Sequence, residues 1–124
     1  MNHFLLPEGS QAGSCESFGA NAMELLINAL IREGASKSRL RAKVFGGAAM
    51  CKGLTTIGLL NGQFVLDYLA KESIPCDGHS LGGELARRVE FTPCSGRARQ
   101  RLVSEKVVEK VEVAPPASND IELF

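Results

Sequence analysis

Lys43-Val44-Phe45-Gly46-Gly47-Ala48-Ala49-Met50 is the stretch on which the fold is decided. Its opening residues close a run over 40–45 in which Leu, Ala and Val alternate with Arg, Lys and Phe, the two-residue period of a half-buried strand. Gly46-Gly47 then ends it, because glycine adopts backbone conformations closed to other residues. A strand running into a glycine turn, with helical patterns on both sides, is the mark of a small α/β domain.

Working outward toward the N-terminus, Met23, Leu26, Ile27, Leu30 and Ile31 recur at i, i+3, i+4, i+7 and i+8, one apolar stripe of a helix. Asn21 is the expected N-cap and Gly34 the C-terminal stop. Residues 8–17, rich in Gly, Ser and Gln, are expected to form a loop, and His3-Phe4-Leu5-Leu6 a short buried strand ended by Pro7. Toward the C-terminus a second helix is expected over 61–72, burying Phe64, Val65, Tyr68 and Leu69, after which Ile74-Pro75 returns the chain to extended structure. Val89-Glu90-Phe91-Thr92 alternates as a strand, Cys94-Ser95-Gly96 turns, and 99–103 is the return strand of a hairpin. Ala114-Pro115-Pro116-Ala117-Ser118 reads as linker, so the ordered domain is expected at 1–103 and a flexible tail at 104–124, ending in the acidic-apolar tip Asp120-Ile121-Glu122-Leu123-Phe124.

A chain of 124 residues, 44% of them hydrophobic, builds one domain with a real core. Lys and Arg number 14, as do Asp and Glu, so no global field attracts nucleic acid or an acidic membrane, and the basic runs at 32–43 and 87–101 read as solvated faces. No stretch approaches the ~20 apolar residues of a membrane span, and no secretory leader is visible, which predicts a cytoplasmic protein without membrane insertion. There Cys15, Cys51, Cys76 and Cys94 are expected as thiols, and with no C-x-x-C among them no metal site or cofactor is expected.

Gly78-His79-Ser80-Leu81-Gly82 matches the G-x-S-x-G nucleophile elbow of lipase-like serine hydrolases. That chemistry needs a histidine after the serine, and the two histidines are His3 and His79. The reading that survives is a glycine turn leading into a strand. Thiol chemistry is better served. A thiolate needs a neighbouring base, and His3 could be one, with Cys15 or Cys51 as nucleophile, although each of these also suits ordinary packing.

The order of motifs resembles one family. Asn2-His3-Phe4-Leu5-Leu6-Pro7, Asn21-Ala22-Met23-Glu24-Leu25-Leu26, Lys43-Val44-Phe45-Gly46-Gly47-Ala48, Ile57-Gly58 with Asn61, Leu81-Gly82-Gly83, Arg87-Arg88-Val89 and Thr92-Pro93 to Gly96 together look like the chemoreceptor glutamine deamidases (CheD) of bacterial chemotaxis. The resemblance implies an α/β sandwich (α+β) related to the cytotoxic necrotising factor catalytic domain, with its N-terminal strands missing from this sequence. It implies hydrolysis of glutamine amides on methyl-accepting chemotaxis receptors, no cofactor, and the phosphatase CheC as a second partner. The family's base maps onto His3. Phe45, Gly46, Gly47 and Ala48 are the candidate oxyanion or pocket turn, and Gly58, Asn61, Gly82 and Gly83 the structural or substrate-side positions.

The sequence also departs from the family. The family nucleophile lies in a Gly-Ser-Cys turn upstream of the histidine, with an orienting threonine earlier still, whereas Met1 stands two residues before His3. Gly13-Ser14-Cys15 spells the same tripeptide on the wrong side. Leu60 stands where the family usually carries a basic residue. Two expectations follow: a start assigned too far downstream of an ordinary deamidase, or a CheD-like binding module without activity that meets receptors or CheC.

Overall fold

The computed structural model describes residues 1–6, 12–50, 55–104 and 121–124, without the side chains of 12–16, 55, 121 and 122. Along the chain come α1 (Ala12–Arg32), one 3-10 turn (Lys37–Arg39), β1 (Ala42–Gly46), α2 (Thr55–Lys71), β2 (Cys76–Leu81), β3 (Ala86–Thr92), β4 (Arg97–Val103) and β5 (Ile121–Leu123). This is a mixed α/β arrangement of two helices and two small sheets among the described residues. β1 and β2 pair in parallel, which a tight turn cannot achieve, and α2 is the crossover between them. β3, β4 and β5 form an antiparallel sheet in that order.

The alternation in β1 sorts its side chains onto two faces. Ala42 and Val44 pack on the core made by Met23 and Ile27 of α1, Val65 and Leu69 of α2, and Ile74. Lys43 and Phe45 face the other way, where Lys43 Nζ donates to Gly96 O (2.7 Å) and Phe124 O (2.8 Å) and Phe45 meets Phe124 edge-on. The two-stranded sheet thus has helices on one face and the antiparallel strands on the other. β2 changes faces part-way. A register shift opposite Ala42 and Lys43 takes the pairing from Cys76 to Gly78. Cys76 therefore joins the helix-side core, while Gly78 lies against Phe124 and Ser80 reaches toward β3 and β4.

The structure bears out β1, the α1 stop at Gly34 (φ +100°), and the hairpin, in which Gly96 N–H donates to Thr92 O at 2.9 Å. Helix starts differ. α1 begins at Ala12, not Asn21, so Cys15 belongs to a helix and not to a loop, and Asn21 is interior. The reason is tertiary: Gly19 is buried, and a Cβ there would stand 2.5 Å from Phe64 Cε1 and 2.9 Å from Leu6 Cδ2. The small residues that look loop-like let another helix come close. α2 likewise begins at Thr55, because Gly58 and Gly62 hide a helical turn from propensity reasoning. Residues 7–11 and Cys51 lie outside the described residues.

Two further expectations fail. His3-Phe4-Leu5-Leu6 is not a strand, because its backbone is held by a helix side chain instead of a ladder. At the other end 121–123 is no flexible tip: it pairs with β4 at Arg99, Gln100 and Arg101, and Ala98 and Phe124 exchange main-chain hydrogen bonds. Residues 105–120 lie outside the described residues.

Candidate functional site

Both parallel strands end in glycine turns at the same edge of their sheet, the edge at which open α/β sheets hold their ligands. Gly82 N–H donates to Gly46 O at 3.0 Å and Ala49 N–H to Gly83 O at 2.8 Å, so the two turns are stitched together. The first turn of α2 presses on them. A Cβ on Gly47, itself at φ +68°, would stand 2.7 Å from Gly58 O, and one on Gly58 would stand 2.5 Å from Gly47 O. Only hydrogen at both positions allows this approach. Among the described residues the N–H groups of Gly47 and Ala48 donate to no acceptor.

A polar brace lies behind the turns. Half-buried Arg87 of β3 donates through Nη1 to Gly46 O (3.2 Å) and through Nε to Ser80 Oγ (3.1 Å), which also accepts from Gln100 Nε2 at 2.8 Å. Beside them runs a shallow, mostly apolar groove of about 190 Å³ lined by Gly58, Leu59, Gly62, Leu66, Leu81 and Gly82, together with Gln63. Ser80 is no nucleophile elbow: it sits within β2, the next element is another strand, and its Oγ serves two donors.

His3 is exposed and has no hydrogen-bond partner among the described residues. The segment that carries it lies between the helices. Asn2 Nδ2 donates to Ala22 O of α1 (3.0 Å), Phe4 packs edge-on against Phe64 (5.8 Å between centroids), and Leu6, only 7% exposed, donates its N–H to Asn61 Oδ1 at 2.9 Å. As the chain runs back from Leu6 to Phe4, its contacts on α2 move from Asn61 to Phe64, away from Gly58. At 1.5 Å of rise per residue, Gly58 and Phe64 are ~9 Å apart along the helix.

The structure therefore brings together Gly46, Gly47, Ala48, Gly58, Gly82 and Gly83. It turns the Phe45 ring onto Phe124 and ties Asn61 to the segment that carries His3. Sequence reasoning names Arg87 and Phe124 but gives neither a part in the site. Their partners are distant in sequence, and only the pairing of an Arg with a glycine-rich strand end hints at the first. Cys76 is half-buried with Sγ 3.5 Å from Gly78 O, and Cys94 is exposed in the β3–β4 turn. Among the described residues no three His, Cys, Asp or Glu side chains are grouped to hold a metal ion, and no helix is long and apolar enough to cross a membrane.

Residues 5–102 match the family model described as CheD chemotactic sensory transduction. The chain belongs to the CheD family. The match runs from Leu5 to Leu102 in β4, and so includes both glycine turns, α2 with Asn61, and the Arg87 brace. Similarity covers 100% of the chain for several individual CheD proteins, and 87% for those of Cereibacter sphaeroides. The chain is 49% identical over 137 residues to the "Probable chemoreceptor glutamine deamidase CheD" of Acidiphilium cryptum, of whose length 72% is covered. Proteins of the same name from Caulobacter vibrioides (47% identity, 72% of its length) and Agrobacterium fabrum (42%, 74% of its length) are similar over the whole chain as well.

Proposed function

We propose that this chain works as a chemoreceptor glutamine deamidase, hydrolysing glutamine side-chain amides of methyl-accepting chemotaxis receptors to glutamate and ammonia. One observation carries the reading: CheD proteins bearing that name are similar to the whole chain at 42–49% identity. Three finer assignments rest on the family resemblance: a cytoplasmic location, CheC as a regulatory partner, and a sandwich related to the cytotoxic necrotising factor catalytic domain.

His3 is the base. Its imidazole takes the proton of a cysteine thiol, and the thiolate attacks the amide carbon. The imidazolium returns that proton to the leaving nitrogen as the C–N bond breaks, releasing ammonia and leaving a thioester. Water, deprotonated by the same ring, then cleaves the thioester to a carboxylate and restores the thiol. An exposed His3 suits this role, since a receptor is a macromolecule that must reach the ring from outside. The family places the nucleophile in a Gly-Ser-Cys turn ahead of the histidine.

A base and an oxyanion hole must serve one carbonyl group, within about 3 Å of the reacting atoms. The His3 segment meets α2 at Asn61 and Phe64 and the glycine turn meets it at Gly58, which favours a holding role for the turn over one beside His3. We assign the glycine turn instead to holding α2, and α2 to holding the histidine segment.

The test is ammonia release, with conversion of glutamine to glutamate read by mass spectrometry, on a receptor cytoplasmic fragment mixed with the protein as its cell makes it. Activity lost in His3→Ala and on thiol alkylation is the expected result. A protein that binds the fragment as well with His3→Ala as without, and releases no ammonia in either form, is a binding module and not an enzyme.

A further inference from the structure

We infer that Asn61 is a positioning residue, whose side-chain oxygen fixes the main chain that presents His3. This rests on the deamidase reading above and deepens it. Residues 1–6 belong to no helix or sheet, so no ladder holds their backbone. Among the described residues their single main-chain hydrogen bond is Leu6 N–H to Asn61 Oδ1, at 2.9 Å. His3 has no side-chain partner of its own there, so its placement comes from the backbone on which it sits.

The neighbouring contacts fix side chains and leave the peptide direction to Asn61. Leu6 and Phe64 of α2 both lie against Gly19 of α1, and Phe4 meets the same Phe64 ring. An apolar contact resists removal but tolerates rotation, whereas a 2.9 Å hydrogen bond sets the orientation of the Leu6 amide plane. Asn61 also stands in the interior of α2, where asparagine is a poor helix former, and its oxygen is turned outward to a residue 55 positions away. That local penalty is offset by a tertiary bond. One turn earlier on α2, Gly58 abuts Gly47 and Ala48. A single helix therefore references the histidine segment to the glycine turn.

The experiment compares Asn61→Leu, which keeps the size and removes the acceptor, with Asn61→Asp, which keeps an acceptor at the same reach. Activity on a receptor cytoplasmic fragment is read as kcat and KM, and exchange of the Leu6 amide proton is followed by NMR. In Asn61→Leu we expect kcat to fall ~10- to 100-fold, the scale of a displaced catalytic group. KM should stay within about twofold and Leu6 protection should vanish. Asn61→Asp should recover most of both. Should Asn61→Leu fail to fold, Asn61→Ser, which shortens the reach, takes its place in the comparison. Loss of Leu6 protection with kcat unchanged overturns the inference, as does an Asn61→Asp variant no better than Asn61→Leu. If the wild type releases no ammonia, the deamidase reading fails by itself. Positioning is then decided by the His3 ring resonances, which must move in Asn61→Leu and return in Asn61→Asp; ring signals unmoved in both refute it.

Discussion

Gly58→Ala tests the central contact of the site. A methyl at this buried position would stand 2.5 Å from Gly47 O, 2.8 Å from Gly47 C and 3.0 Å from Ala48 O, all backbone atoms. No side chain can swing aside, so α2 or the turn must withdraw by roughly 1 Å to reach an ordinary contact of 3.4–4 Å. Alanine is favoured over glycine in a helix by about 0.8–1.0 kcal/mol, which opposes the clash. Overpacking of this kind costs about 1–3 kcal/mol, and the net expectation is a loss of about 1–2 kcal/mol, or about 4 °C of Tm for each kcal/mol. The control lies one turn on. At Gly62 a Cβ would meet only Leu81, at 3.5 Å, so Gly62→Ala should be neutral or stabilising by up to about 1 kcal/mol. Asn61 and Leu6 travel with α2, so deamidation should slow ~10-fold or more in Gly58→Ala and little in Gly62→Ala. Urea unfolding and ammonia release measure the two effects. A Gly58→Ala protein as stable and as active as Gly62→Ala refutes the close-approach argument.

Three other outcomes follow from separate features. Ser73, at φ 56° where α2 ends, occupies a conformation suited to glycine, so Ser73→Gly should raise stability by about 1 kcal/mol; an unchanged or lower Tm counts against strain there. Phe124→Ala removes an edge-on ring contact with Phe45 (5.1 Å between centroids) and should lower stability by about 1–2 kcal/mol, whereas a loss within error means that the tip does not brace β1. The hydrogen bond from Arg41, helped by its charge, holds the Asp77 carboxyl below its usual value of 3.8. A carboxylate lowered on folding stabilises the fold above its unfolded pKa and ceases to do so as pH falls through the lowered value. The stability difference between wild type and Arg41→Gln should therefore be present at neutral pH, begin to shrink as pH falls below the usual carboxyl value of 3.8, and vanish below the lowered one; a difference that grows in acid contradicts the pairing.

Much of the site was legible residue by residue. Gly46, Gly47, Gly58, Gly82 and Gly83 stand out in the sequence, and all five meet at one sheet edge. Their roles were less legible. Phe45 looks like part of a pocket turn, but strand parity puts its ring on the opposite face, against Phe124. Asn61 looks like a position for substrate contact, and it holds Leu6. No local pattern announces such bonds, because their partners are 79 and 55 residues distant in the chain.

What the amino-acid sequence determined by itself is the set of elements governed by short-range chemistry. The alternation of β1, the hairpin around Cys94-Ser95-Gly96, the stop at Gly34 and the ordered motifs that mark a CheD protein all read directly from neighbours along the chain. The tertiary structure alone decided where α1 and α2 begin, because Gly19 and Gly58 weaken a helix locally and yet admit the contacts that hold it. It alone made 121–123 a strand, since a three-residue strand exists only where an edge such as β4 receives it. And it alone tied the His3 segment to α2, because main-chain direction in a segment without a ladder is set by whichever distant group accepts its N–H, here Asn61.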